Sequence, residues 1–293
     1  MKKTSLLKNF SFSRILIGLV LLLLGFTTLY PFWYVMVVSL STITEILDKT
    51  LLFYPVKVTF EAYQYVLTSG DFLNIAKNTF FVVAIGTVFS LVVTIFFAYG
   101  LAKKVPGYRW ITFLIFFTLL FGGGMIPTYL VVRSTGLLDS LWSLIIPKLA
   151  NAFYILLLRN FFLTVPQSLE ESASLDGAGT LTVLFRIVLP VAMPGIATIA
   201  LFYGVVYWNS FFDAVLYISS RGKWVLQVLL REMLLANQKD ILQGVAETPS
   251  GMSTTSFTIK MATVMVASVP ILLIYPFIQR YFVKGVVMGA VKG

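Results

Sequence analysis

Long apolar stretches alternate with short polar ones along almost the whole chain. A helix that spans the apolar core of a bilayer needs about 20 residues. Five uncharged runs reach this length, and a sixth is apolar but contains Lys148 and Arg159. The pattern therefore predicts six membrane helices, in residues 15–44, 78–102, 110–132, 141–162, 187–212 and 261–279.

The composition supports a membrane protein and excludes several kinds of site. Apolar residues make up 58% of the chain and charged residues only 12%, whereas a soluble domain carries about 25% charged residues. We predict an all-α integral membrane protein, one transmembrane domain over residues 1–293, with external loops at about 41–74 and 219–259. The chain has no cysteine and no histidine, and we predict neither a catalytic site nor a metal site.

The N-terminal segment is basic and is followed by an apolar run, which raises the possibility of a cleaved signal peptide. The run after Arg14 carries no charge until Glu45, and this is longer than the apolar core of a signal peptide. We therefore interpret it as an uncleaved first membrane helix.

The basic residues predict the orientation. With the N-terminus inside the cell, the cytoplasmic segments carry twelve basic and three acidic residues, and the external segments carry ten and nine. Cytoplasmic loops of membrane proteins are enriched in Lys and Arg, so both termini are predicted to be cytoplasmic. The net charge of +10 then reflects these flanks, and no nucleic-acid partner is expected.

A mostly polar island at about residues 160–190 separates two apolar runs in the predicted cytoplasmic region. Pro166 suits the first turn of a helix, and Gly177 is a natural helix stop. A second helix is predicted from Thr180 to Leu189, ending at Pro190. Two short helices at an angle would form a compact knob, and the alternative is an ordinary amphipathic loop.

The island carries a spaced motif, Glu171-x-Ala173, Gly177 after three residues, and Ile187-x-Leu189-Pro190 after nine more. This spacing resembles the EAA loop of ABC importer permeases, with Ser172 where the family usually has alanine. The segments Tyr30–Tyr34, Gly122–Tyr129, Arg159–Phe162, Tyr207–Asp213 and Lys284–Gly293 extend the likeness over nearly the whole chain. Together they resemble the second permease of maltose-type carbohydrate importers, most closely the branch for complex oligosaccharides.

The resemblance implies an assembly in a bacterial plasma membrane. Its partners would be a second, homologous permease, two ATPase subunits, an extracytoplasmic solute-binding protein and membrane lipid. ATP and Mg²⁺ would be bound by the ATPases, since this chain lacks a phosphate-binding loop, so it would be no enzyme and carry no cofactor. The residues implied in ATPase coupling are Glu171, Ala173, Asp176, Gly177, Ile187, Leu189, Pro190 and, in the C-terminal tail, Lys292 and Gly293.

The fifth predicted helix carries the candidates for substrate contact. Aromatic faces stack on sugar C–H surfaces, and amide and carboxylate groups bind hydroxyls, so we predict a substrate pathway containing Tyr203, Tyr207, Trp208, Asn209 and Asp213. Asn209 and Asp213 would form an i, i+4 pair. The alternative is an aromatic belt at the outer interface.

Two further features have two interpretations each. The segment Gly122–Pro127 would break the third helix, or its small residues would allow close helix packing. Lys148 would reach the outer surface with its long side chain, or face the pathway, where it would suit an acidic sugar.

The predicted function is import of a carbohydrate, with an oligosaccharide favoured, by alternating access. Polyols and glycerol-phosphate-type solutes are the alternative substrates. An ion-coupled secondary transporter is an alternative of another class, but the chain offers few carboxylates for an ion site. A membrane enzyme would need a catalytic cluster, and the sequence shows none.

Overall fold

The computed structural model describes residues 12–42, 45–46, 53–68, 71–242 and 256–290, and its regular structure there is helical. Two 3₁₀ turns (Ile146–Lys148 and Arg221–Lys223) and one π turn (Leu184–Val188) join longer helices. The α-helices are α1 Phe12–Ser39, α2 Glu61–Thr68, α3 Phe72–Ala102, α4 Tyr108–Leu120, α5 Met125–Ser134, α6 Trp142–Ile145, α7 Ala152–Leu163, α8 Gln167–Leu175, α9 Thr180–Val183, α10 Leu189–Val191, α11 Met193–Trp208, α12 Phe211–Tyr217, α13 Leu226–Leu242 and α14 Ser256–Ala290.

Helices α1 and α3 are each long and apolar enough to cross a membrane. Three further apolar segments are pairs bent by 118° between α4 and α5, by 54° before α7, and by 83° before α11. Counting each pair as one span gives up to five candidate spans in the described residues. The sixth predicted span lies within α14, where the described apolar helix Phe257–Leu273 is shorter.

The glycine segment between α4 and α5 interrupts the helix. The helix stops at Leu120 and resumes at Met125. A Cβ atom added to Gly122 or Gly124 would meet no atom of another residue within 4 Å. The predicted single helix over residues 110–132 is therefore wrong, because these glycines leave the helical path.

Backbone contacts divide the chain into two units, residues 1–69 with 234–266, and residues 70–233 with 267–293. In the first unit, the Ser39 and Tyr63 hydroxyls are hydrogen-bonded at 2.7 Å, which ties α1 to α2. The Glu45 carboxylate accepts the backbone amides of Val56 and Lys57 at 3.1 and 2.6 Å. The predicted external loop at 41–74 thus contains a short helix and a hydrogen-bonded turn.

In the second unit, α3 packs against α11 through a face of small residues. Gly86, Ser90 and Thr94 recur every four residues and so share one side of α3. The Tyr207 ring covers Gly86 so closely that an added Cβ would lie 2.8 Å from it. The hydroxyls of Tyr207 and Tyr203 are hydrogen-bonded to Ser90 at 2.7 Å and to Thr94 at 2.8 Å. Burial and hydrogen bonding therefore fix these two helices together.

Candidate functional site

Helix α8 carries the first half of the spaced motif and ends as the sequence predicts. Pro166 precedes its first residue, and Gly177 adopts φ +84°, which L side chains rarely adopt. The amide of Ala178 donates to the Ala173 carbonyl at 2.9 Å, and the amide of Gly177 donates to the Ser174 carbonyl at 3.1 Å. These two bonds form a Schellman stop, so the turn after α8 depends on a residue without a side chain.

The motif residues on α8 divide into an inner and an outer set. Ala173 is half-buried and packs against the main core. Glu171 and Asp176 are exposed, and Leu175 between them is 89% exposed. An isolated leucine with so much of its surface in solvent, flanked by acidic groups, presents a small apolar tip with a charged border.

The second half of the motif lies on a helical segment, Thr180–Val191, that includes the π turn. Val183, Leu184 and Val188 are buried, Ile187 and Leu189 are half-buried against the same core, and Pro190 is exposed. The segment ends at Val191, one residue beyond the predicted end. The predicted span over residues 187–212 is corrected as well, because the chain turns by 83° before α11 begins at Met193.

An ion pair joins α8 to the end of α3. The ammonium group of Lys103, the residue that caps α3, pairs with the carboxylate of Glu170, whose side chain is only 11% exposed. The Tyr99 hydroxyl interacts with the same carboxylate, and the Lys103 Nζ lies 5.7 Å from the centre of the Tyr99 ring. These residues border an open groove of about 760 Å³ that also touches Glu171 and Leu175. The predicted tail residues Lys292 and Gly293 lie outside the described residues.

The structure places Tyr203 and Tyr207 inside the protein. Their side chains are 1% and 0% exposed. Besides its bond to Thr94, the Tyr203 hydroxyl accepts the amide of Asn151 at 3.2 Å, and the Tyr207 hydroxyl donates to the Ile145 carbonyl at 3.4 Å. These bonds join α11 to α3 and to the segment around α6, and a place for the two rings in the substrate pathway stays a prediction.

The remaining candidates lie around a break in the fifth predicted helix. Helix α11 ends at Trp208, and α12 begins at Phe211. The predicted i, i+4 pair is therefore wrong, since Asn209 and Asp213 are not on one continuous helix. The Asn209 amide donates to the Val205 carbonyl at 2.9 Å, and the Asp213 carboxylate instead pairs with Lys148.

A hydrogen-bonded clamp lies at the opposite end of α3 from Lys103. The Asp139 carboxylate accepts the amides of Ser219 and Ser220 at 3.1 and 2.9 Å and the Ser220 hydroxyl at 2.6 Å, and it pairs with Lys223 at 3.0 Å. These bonds, led by those from Ser220, hold the pKa of Asp139 well below its usual range. Helix α3 joins the clamp because Asn78 donates to the carbonyls of Gly222 and Trp224 at 2.9 and 3.0 Å.

Sequence reasoning missed the partners of the predicted residues. Gly86, Ser90, Thr94 and Ala98 form a small-residue repeat with four-residue spacing, a known signal for close packing of membrane helices, and it could have been found. Glu170 stands next to the motif glutamate, but only the fold brings it to Lys103.

Comparison with known proteins gives a consistent result, although no protein-family model matches the sequence. The polygalacturonan/rhamnogalacturonan transport system permease protein YtcP of Bacillus subtilis is 43% identical over 98% of this chain and 100% of its own length. Protein LplC of the same organism is 42% identical over 92% of this chain and 91% of its own length.

A solved structure shows the same fold. It is the crystal structure of a bacterial ABC transporter involved in the import of the acidic polysaccharide alginate, and one of its chains has a TM-score of 0.83 and 33% sequence identity to this one. The match covers 94% of this chain and 99% of that chain. With the near-full-length relatives, it shows that this chain belongs to the permease subunits of ABC importers for carbohydrates.

Proposed function

We propose that this permease carries oligosaccharides that contain acidic sugar units. The observation that carries the proposal is the pair of substrates named for its similar proteins, polygalacturonan/rhamnogalacturonan and alginate. Both are built largely from uronic acids, whose carboxylates are ionised at neutral pH. Neutral oligosaccharides, polyols and glycerol-phosphate-type solutes are the competing substrates, and neither named substrate favours them.

The proposed assembly contains a second permease, two ATPase subunits and a solute-binding protein outside the membrane. The exposed tip of α8, with Leu175 between Glu171 and Asp176, would enter a cleft on one ATPase. A projecting leucine fills an apolar pocket, and the surrounding carboxylates can pair with basic residues at the rim of that pocket. The tail residues Lys292 and Gly293 are proposed as a second contact with the ATPases.

Two connections would carry a movement of α8 into the membrane. One is the ion pair between Glu170 and Lys103, which leads into α3. The other is the bent segment after Gly177, whose residues Ile187 and Leu189 pack on the core just before α11. Because Tyr203 and Tyr207 join α11 to α3, both helices would move together and change the turn at Asn209. Alternating access of the pathway would follow.

The proposed topology has six spans with both termini in the cytoplasm. The chain has no cysteine, so a single cysteine can be introduced at Thr180, in the proposed coupling loop, and another at Ser220, in a proposed external loop. An impermeant thiol reagent added to intact cells should label the second and not the first. Labelling of the cysteine at position 180 alone would show that the orientation is the reverse of the proposed one, and the coupling assignment would then be wrong.

The substrate proposal can be tested on the whole complex in lipid vesicles. We expect uptake of a galacturonic acid oligomer to require ATP and a binding protein that recognises the oligomer. Uptake of only neutral oligosaccharides, polyols or glycerol phosphate would overturn the acidic substrate class. Uptake without ATP but with an ion gradient would instead indicate a secondary transporter.

A further inference from the structure

An ion pair connects two interruptions of membrane helices. Lys148 ends the 3₁₀ turn after α6, three residues before Asn151 begins the next helix as its N-cap. Asp213 lies in the first turn of α12, just after α11 has ended. Their side chains are 28% and 23% exposed and form a salt bridge. The pair therefore joins two places where the backbone leaves its helical path.

Charges at such positions need a physical reason. An ionised side chain within a membrane span is costly unless it is paired or faces a water-filled cavity. Broken helices within membranes occur where the backbone is buried in protein or lines a cavity, and in many transporters they border the substrate site. Lys148 and Asp213 are paired and their side chains remain about one quarter exposed, so a polar group from outside can reach them and exchange with one partner.

The turn before Asp213 contains polar atoms whose hydrogen-bonding capacity is unused. In the part of the chain that the structure describes, the indole Nε1 of Trp208 and the hydroxyl of Ser210 are buried without a hydrogen-bond partner. A buried donor without a partner destabilises the folded protein, and a hydrogen bond to a hydroxyl or a water molecule removes that cost. Both donors are one residue away from Asn209, so the break contains polar groups of the kind that bind sugar hydroxyls.

We infer that Lys148 selects for acidic sugar units. Between transport events, the Asp213 carboxylate occupies the position at Lys148 that a sugar carboxylate takes during transport. The inference rests on the proposed acidic substrate. A uronate carboxylate would replace the Asp213 carboxylate at the ammonium group, and Asp213 would pair with Lys148 again once the sugar has passed. Because one carboxylate replaces another, the exchange changes the pairing energy little, which suits passage better than tight retention.

The asymmetry between the two residues makes the inference specific. Removing the Lys148 charge leaves Asp213 to repel an acidic sugar, whereas removing the Asp213 charge leaves a cation that still attracts it. A purely structural ion pair would make both changes equivalent, since either one leaves a partly buried charge unpaired.

The test compares two substrates of one length, a galacturonic acid oligomer and its methyl ester, which lacks the charges. The variants are Lys148→Gln, Asp213→Asn and, as a control in a different ion pair, Lys223→Gln. Each is assembled with its partners in vesicles, and the ratio of acid uptake to ester uptake is measured. We expect Lys148→Gln to lower this ratio about tenfold or more, and Asp213→Asn and Lys223→Gln to preserve it.

A single variant can fail to assemble because it leaves a partly buried charge unpaired. The double variant, Lys148→Gln with Asp213→Asn, leaves no unpaired charge, and it should also lose the preference for the acid. An unchanged ratio in Lys148→Gln or in the double variant would overturn the inference, as would an equal fall in the ratio in Lys148→Gln and Asp213→Asn. The wild-type protein tests the proposed function separately. If it takes up no acidic oligomer, the substrate class is wrong and the inference falls with it.

Discussion

The two ends of helix α3 are held in different ways. The helix has 31 residues and is therefore about 46 Å long. At its first turns, a dense set of bonds joins it to two loops. These bonds are made by Asp71, Asn74, Asn78, Thr79, Asp139, Arg221 and Lys223. At its last turn, the ion pair between Lys103 and Glu170, supported by Tyr99, joins it to α8.

The difference indicates which end is built to move. Many short bonds shared among three segments resist displacement, because all of them must break together. A single ion pair beside an open groove lets α8 tilt while its contact with α3 is kept. The proposed coupling helix α8 is therefore linked to α3 through the Lys103–Glu170 ion pair, while the last turns of α3 stay packed in the core through Ala98, Tyr99 and Leu101. We propose that the opposite end of α3 acts as a fixed base.

Substitution of Gly177 should have the largest effect. The residue has φ +84° and ends α8, and a side chain other than Asn or Asp costs about 1–2 kcal/mol in this conformation. Gly177→Leu should abolish transport and weaken ATPase binding while the membrane helices still fold. Copurification of the ATPase and uptake in vesicles measure the two effects.

Two variants show that the conformation is responsible. Gly177→Asn should keep substantial activity, because Asn tolerates a left-handed backbone. Gly179→Ala should be nearly silent, since Gly179 has φ −69° and no neighbouring atom near an added Cβ. Full transport and normal assembly in Gly177→Leu would remove the coupling assignment.

Substitution of Gly86 should have the next largest effect, on stability. A methyl group there would lie 2.8 Å from the Tyr207 ring, and overpacking of a core typically costs about 1–3 kcal/mol. Gly86→Ala should lower the melting temperature of the purified complex. Gly204→Ala is the matched control, because its nearest neighbour, the Thr87 hydroxyl, is 3.8 Å away. Equal melting temperatures for both variants would contradict the close contact.

The sequence predicted what depends on local chemistry. The stop at Gly177 and the all-helical class follow from glycine conformation and from apolar run length, and the structure contains both. The segment Gly122–Gly124 allowed two interpretations, and the structure contains the break. The sequence did not predict the contacts of Asp213 or Glu170, because Lys148 and Lys103 are more than sixty residues away from them along the chain. The hydrogen bonds of Tyr203 and Tyr207 could not be predicted for the same reason, since only the fold places Thr94 and Ser90 opposite them.

Removal of the Glu170 charge should have a smaller effect that is confined to coupling. Glu170→Gln leaves Lys103 without its ion pair but keeps a hydrogen-bonding group, so the complex should assemble. Sugar transported per ATP hydrolysed should fall several-fold, because α8 then moves without α3. Asp139→Asn, at the other end of α3, should lower stability and leave this ratio unchanged. The comparison between the two ends would fail if both variants changed the ratio equally.

The smallest expected effect is a pH dependence at the fixed base. The hydrogen bonds to Asp139 depress its pKa in the folded protein well below the usual range of an aspartate, so the folded state favours the ionised form. This contribution is fully present above the pKa of the unfolded chain and is lost as the pH falls through that value toward the folded pKa.

The difference in melting temperature between the wild-type protein and Asp139→Asn should therefore be constant near neutral pH and shrink below about pH 4. A difference that stays the same down to pH 3 would mean that the carboxylate charge does not stabilise the clamp. Asp176→Asn is a suitable control, since this exposed carboxylate at the end of α8 lies in none of the ion pairs found among the described residues.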